Sequence, residues 1–158
     1  MQKVTPFLLF PGNAEEALTL YRTAFKEHLQ VLGETRYGQH APLPAGTLMS
    51  ATFSLFGSEY IFFNGGPLVP FSDAWSLMIQ CDTQEEIDHY WNTLSEGGKQ
   101  MPCGWLNDRF GLAWQVVPRG LDKMLTDPDA AKAGAVMQAM LQMQKMDLAA
   151  LEHARANA

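Results

Sequence analysis

The chain has 158 residues, 47% of them hydrophobic and 18% charged, which is enough apolar mass for one compact domain or two small fused units and too much for a disordered segment. Its formal net charge of −6, with Lys and Arg scattered along the chain, argues against a nucleic-acid partner, because no basic stripe offsets the repulsion from phosphate. Apolar runs such as Phe7 to Phe10 and Tyr60 to Phe63 fall far short of the roughly 20 residues that a membrane span needs. The N-terminal MQKVTPFLLFPGN runs into a strand-like segment with no small-residue cleavage site, so no signal peptide and a cytoplasmic location are expected. Cys81 and Cys103 are too far apart for a CxxC motif and read as small apolar residues in a reducing compartment.

Val4 to Phe10 reads as a strand, Pro11-Gly12 as its stop, and Asn13 as the N-cap of a helix from Ala14 to Lys26. Glu15 and Glu16 suit the positive end of the helix dipole, and Ala17, Leu20, Tyr21 and Ala24 give the helix one apolar face. Strands are predicted from Leu29 to Tyr37, Leu48 to Leu55 and Glu59 to Phe63, with a Pro/Gly/Ala-rich loop from Gly38 to Gly46 and a hairpin turn at Phe56-Gly57-Ser58. The plan then repeats: a strand from Trp75 to Cys81, a cap at Asp82-Thr83, a helix from Gln84 to Ser95 ending at Gly97-Gly98, and closing strands within Met101 to Phe110 and Leu112 to Val117. NAEEALTLY from Asn13 overlies TQEEIDHYW from Thr83, an offset of 70 residues. After Pro118 a short turn from Leu121 to Leu125 leads to one long helix from about Ala130 to Arg155, with Val136, Met137, Met140, Leu141, Met143, Leu148 and Leu151 as an apolar stripe. The predicted fold class is therefore α+β, with βαβββ modules at 1–70 and 71–118 and a helical extension at 119–158.

The segments TPFLLFPGNAEEALTLY at Thr5, FNGGP at Phe63, CDTQEEIDHYW at Cys81, CGWLNDRFGLAWQVVP at Cys103 and DPDAAKAGAVMQAMLQMQKMDLAAL at Asp127 resemble the vicinal oxygen chelate superfamily. That superfamily includes glyoxalase I, bleomycin-resistance proteins and extradiol dioxygenases. The chain is most similar to its PhnB-like branch, often labelled demethylubiquinone methyltransferase-like. The resemblance implies curved mixed sheets, a homodimer that exchanges elements between chains, and four metal ligands drawn from the first and last strand of each module. Those positions fall on Pro6, on Tyr60 or Phe62, on Ser76 and on Gln115. Proline has no donor, serine is a poor ligand and an aromatic ring fills the space, so no metal and no cofactor are expected. The histidines do not restore a site: His89 and His153 read as solvated, and His28 and His40 have no ligand partner at suitable spacing.

A pocket remains possible without a metal. Trp105 and Trp114 alternate with Gln115, Cys103 and Asp108 lie beside them, and Asn64 precedes Gly65-Gly66 at a strand end where a ligand can approach the backbone. Trp75 and Trp91 are expected in the core, and Asp108 doubles as a turn-capping carboxylate. These residues predict a small-molecule-binding protein. The alternative is an enzyme of the same superfamily, a lyase, isomerase or dioxygenase, either with a metal bound in an altered way or metal-free and relying on Asp108, Cys103 or His40. Methyl transfer is not expected, since no GxGxG loop follows a strand.

Overall fold

The computed structural model describes residues 2–66 and 69–158, so Pro67 of the FNGGP segment lies outside the described residues. The chain divides into two compact units, Met1–Pro70 and Phe71–Ala158. The first contains β1 (Phe7–Phe10), α1 (Ala14–Phe25), a 3-10 turn at Lys26–His28, β2 (Leu29–Arg36), β3 (Leu48–Leu55) and β4 (Ser58–Asn64). The second begins with β5 (Leu77–Cys81), α2 (Gln84–Ser95), β6 (Lys99–Gln100), β7 (Trp105–Asn107) and β8 (Ala113–Pro118). The strand orders are β1-β4-β3-β2 and β5-β8-β7-β6, the same topology twice. In each sheet the first and last strands of the module pair in parallel and the remaining pairs are antiparallel, the α+β arrangement of tandem βαβββ modules.

Each helix covers one face of its own sheet, and the periodicity of the sequence dictates which. On α1 the residues Ala17, Leu20, Tyr21 and Ala24 are buried. Their counterparts on α2, 70 residues on, are Ile87, Tyr90, Trp91 and Leu94, also buried. Tyr21 and Phe10 pack their rings on Phe62 at centroid distances of 5.6 and 4.7 Å, and Phe53 meets Phe62 edge-on at 4.7 Å. Burying each such ring contributes about 1.5–3 kcal/mol, so the helix–sheet layer carries much of the stability of the first unit.

The strands do not keep the 70-residue offset. Leu8 and Phe10 face α1, whereas Ile79 and Cys81 are the buried residues of β5, an offset of 71 from Phe10 to Cys81. Two residues separate Phe10 from the cap position Asn13, but only Asp82 separates Cys81 from Thr83. Because side chains alternate along a strand, that one residue reverses which face each aligned position serves.

The helical extension is α3 (Leu121–Leu125), α4 (Ala130–Leu141) and α5 (Leu148–Ala156), and it belongs to the second unit. The single long helix expected from Ala130 to Arg155 is broken between Leu141 and Leu148. Three interactions explain the break. The Asp147 carboxylate caps α5 by accepting from the Ala150 amide at 2.9 Å. The Gln84 side chain donates to the Met146 carbonyl at 3.0 Å and accepts from the Leu148 amide at 2.9 Å. Met146 itself is fully buried. No helix among the described residues is long and apolar enough to cross a membrane.

Candidate functional site

The face of the second sheet opposite α2 is where the extension turns back over the strands. Since Trp114 and Val116 pack into the core, alternation puts Gln115 and Val117 of β8 on the other face, with Met78 and Gln80 of β5 beside them. Trp105 of β7 pairs with Gln115 and adds an aromatic wall. Gln115 donates through Nε2 to the Ser76 hydroxyl at 2.8 Å, which fixes its orientation and leaves Oε1 without a partner among the described residues. Leu121 and Leu125 of α3 and Met140 of α4 form a roof, and the space between holds about 410 Å³.

Cys103 and Gly104 hold roof and floor together. Their φ angles of 59° and 78° turn the chain sharply before β7. This points the Cys103 amide at the Met143 carbonyl at 2.9 Å and the Gly104 amide at the Gln144 carbonyl at 2.7 Å. The Gly104 carbonyl accepts from the Val116 amide at 2.7 Å on the other side. The interrupted helix is therefore tied to the sheet by its own free carbonyls. The Cys103 thiol lines the cavity and donates to the Met140 carbonyl at 3.7 Å.

Of the six residues expected to form a pocket, the structure brings together Cys103, Trp105 and Gln115 and sends the other three elsewhere. Trp114 points into the α2 core at 2% exposure. Asp108 is equally buried and serves the hairpin: Oδ1 accepts from the amides of Phe110 at 2.9 Å and Leu112 at 3.1 Å, and Oδ2 accepts from Trp114 Nε1 at 2.9 Å. Asn64 is in the other unit, fully buried, where Oδ1 accepts from the Ala14 amide at 2.9 Å and Nδ2 donates to the Leu48 carbonyl at 2.9 Å. It thus supplies the α1 cap that Asn13 was expected to supply; Asn13 makes no side-chain cap bond. Asn64→Ala is expected to cost about 2–3 kcal/mol, since it orphans two buried backbone groups, whereas Asn13→Ala should fall within about 0.5 kcal/mol. Urea denaturation of both variants checks the ranking.

The same alternation revises the superfamily metal positions. Phe62 and Tyr60 both point into the helix–sheet core, Tyr60 stacking on Phe53 at 5.6 Å. Pro6 shares the parity of Leu8. The open face of the first sheet instead carries Phe7, Ile61 and Phe63, with Phe7 and Phe63 stacked at 5.7 Å. In the second sheet, Ser76 and Gln115 do lie together on the open face. Two rings, an aliphatic chain, a hydroxyl and an amide do not make a donor set for a transition metal. Among the described residues no three His, Cys, Asp or Glu side chains gather where one metal ion could be held. The fold family implies a metal, and these residues do not fit it.

The remaining cysteine, Cys81, is buried under α2, and burial pushes its thiol up to about 12, so it stays protonated and inert. The sequence reading missed the roof and the outer floor: Met78, Gln80, Val117, Leu121, Asp122, Leu125 and Met140. Alternation from Gln115 would have found Val117. Nothing local marks the roof, which depends on contacts some 40 to 60 residues apart.

Residues 2–117 match the model of a family described as 3-demethylubiquinone-9 3-methyltransferase. No curated protein matches the chain. Among solved structures, the chain is 36% identical to a putative 3-demethylubiquinone-9 3-methyltransferase, PhnB protein, from Bacillus cereus, with 73% of this chain and 99% of that one covered and a TM-score of 0.67. A Pseudomonas aeruginosa protein is 27% identical over 75% of this chain and 98% of its own, with a TM-score of 0.58. The fosfomycin resistance protein FosX of Listeria monocytogenes, solved with Mn(II) and a dihydroxypropylphosphonic acid, is 15% identical over 79% of this chain and 99% of its own, with a TM-score of 0.56; this likeness is one of fold. With the tandem topology and the match over residues 2–117 together, the chain belongs to the PhnB-like, 3-demethylubiquinone-9 3-methyltransferase-like family of the vicinal oxygen chelate superfamily.

Proposed function

We propose that the protein binds a small molecule in the cavity over its second sheet and holds it by packing and a few polar contacts, with no metal at the superfamily's usual positions. The observation that carries the reading is the cavity itself. Its volume of about 410 Å³ lies within the range of about 300–1,000 Å³ typical of ligand sites, and Trp105, Met78, Val117, Leu121, Leu125 and Met140 make it mostly apolar. Polar groups are few: Gln115 and Gln80 on the floor, Cys103 where roof and floor join, and Asp122 on α3. That pattern suits recognition of one oriented molecule. It lacks the hydrogen-bonded nucleophile–base pair of covalent catalysis, since the neighbour of Cys103 Sγ is a carbonyl. Methyl transfer, which the family's name suggests, is not part of the proposal, because sheets with one parallel pair each lack the doubly wound order that binds such cofactors.

A thermal-shift screen with hydrophobic metabolites and drugs tests the reading. A ligand at 100 times its Kd should raise stability by about 2.7 kcal/mol. Trp105→Ala should weaken that ligand by about tenfold or more, through loss of ring contact, while the variant stays folded. A screen in which no compound class moves the melt sinks the proposal, and equal affinity in Trp105→Ala places the ligand elsewhere. Added Ni²⁺ or Zn²⁺ should leave the melting temperature unchanged; a rise of several degrees would restore the metal reading.

A further inference from the structure

We infer that this cavity selects molecules carrying an ammonium group on an apolar or aromatic frame. The inference rests on the cavity being a ligand site and adds the charge its ligand bears. Asp122, an exposed residue in the first turn of α3, is the one acidic residue among those lining the cavity, and among the described residues no cation pairs with it. The two cations nearest it in sequence do not pair with it: Lys123, the next residue, makes no ion pair among the described residues, and Arg119 is engaged elsewhere, its Nε donating to Asp82 Oδ1 at 2.5 Å and its Nη1 to Gln80 at 3.4 Å. No Lys or Arg is among the lining residues.

The neutral polar groups point the same way. Gln115 gives one of its two Nε2 hydrogens to Ser76, so the atom it holds wholly unengaged for a ligand is the acceptor Oε1. The Cys103 thiol spends its proton on the Met140 carbonyl. A site offering a carboxylate and an amide oxygen, with no charged donor, suits a ligand that brings N–H donors and positive charge. The Trp105 ring adds to this, since an indole face attracts a cation through its quadrupole. A carboxylate or phosphate ligand would meet repulsion from Asp122 with no Lys or Arg among the lining residues to offset it, in a protein whose net charge is already −6.

Phenylbutylammonium, phenylbutanol and phenylbutyrate share a frame and differ in charge, so titrating the full-length protein with each at neutral pH, read by tryptophan fluorescence and calorimetry, isolates the charge effect. The ammonium compound is expected to bind about tenfold more tightly than the alcohol, with the carboxylate weakest. D122N should cut the ratio between ammonium and alcohol to about twofold. E16Q, which removes the same charge from an exposed site in the other unit, should leave the ratio as it is. If alcohol or carboxylate binds as tightly as the ammonium compound, or if D122N keeps the full preference, the charge inference is overturned while the binding site stands. If none of the three binds, both readings fall.

Discussion

Asp108→Ala is expected to lower the stability of the second unit by about 3–5 kcal/mol, because the substitution removes one buried acceptor that serves three donors. The Phe110 and Leu112 amides and the Trp114 indole each lose their partner at once. The Leu112 amide and the Trp114 indole cannot turn to water, since both residues are buried with Asp108 itself, while the Phe110 amide is part-buried. Asp108→Asn keeps one oxygen and should recover part of the loss, which separates hydrogen bonding from packing. All four tryptophans lie between Trp75 and Trp114, so denaturant unfolding followed by tryptophan fluorescence reads the second unit directly. A loss below about 1 kcal/mol would contradict the network. Ligand affinity of the folded fraction should be unaffected, since Asp108 belongs to the hairpin and does not line the cavity over the sheet.

Asp108 also shows what sequence can and cannot say here. Its chemistry, a carboxylate after a strand and before Arg109-Phe110-Gly111, has a turn reading and a site reading, and local pattern offers nothing to choose between them. The helices were legible because their apolar spacing is redundant: Ala17, Leu20, Tyr21 and Ala24 recur as Ile87, Tyr90, Trp91 and Leu94, and one shift would break every match. The strands carried less information. A two-residue period leaves each position with only two options, and one missing residue before Thr83 swapped them between Pro6 and Ser76; Phe62, where a ligand position was expected, faces the core with its partner Leu8. Asn64 replaced Asn13 as the α1 cap because strand β4 happens to end beside the start of α1, a fact of tertiary pairing with Phe10. The long C-terminal helix was a reading of propensity that lost to the Asp147 cap and to tertiary hydrogen bonds from Gln84, Cys103 and Gly104.

Gly104→Ala is expected to cost about 2–4 kcal/mol and to weaken any cavity ligand as well, because this glycine is where the roof meets the floor. Two effects add. The φ of 78° is strained for any residue with a side chain. A Cβ placed there would also lie 2.6 Å from the Val116 carbonyl oxygen, with Met146 side-chain atoms at 3.2 and 3.3 Å behind it. The carbonyl is fixed in β8 and Met146 is fully buried, so relief requires Gly104 to move away from the sheet. That movement pulls on its bonds to Gln144 and Val116 and displaces its neighbours Cys103 and Trp105, both of which line the cavity. Gly111→Ala separates the two effects, since Gly111 has a φ of 87° but nothing within 4 Å of its would-be Cβ. It should cost only about 1 kcal/mol and leave affinity intact. Equal losses in the two variants, measured by tryptophan-monitored denaturation, would mean that the close approach at Gly104 does not matter; a larger loss at Gly104 with weakened ligand binding would tie the stability of the roof to the function of the cavity beneath it.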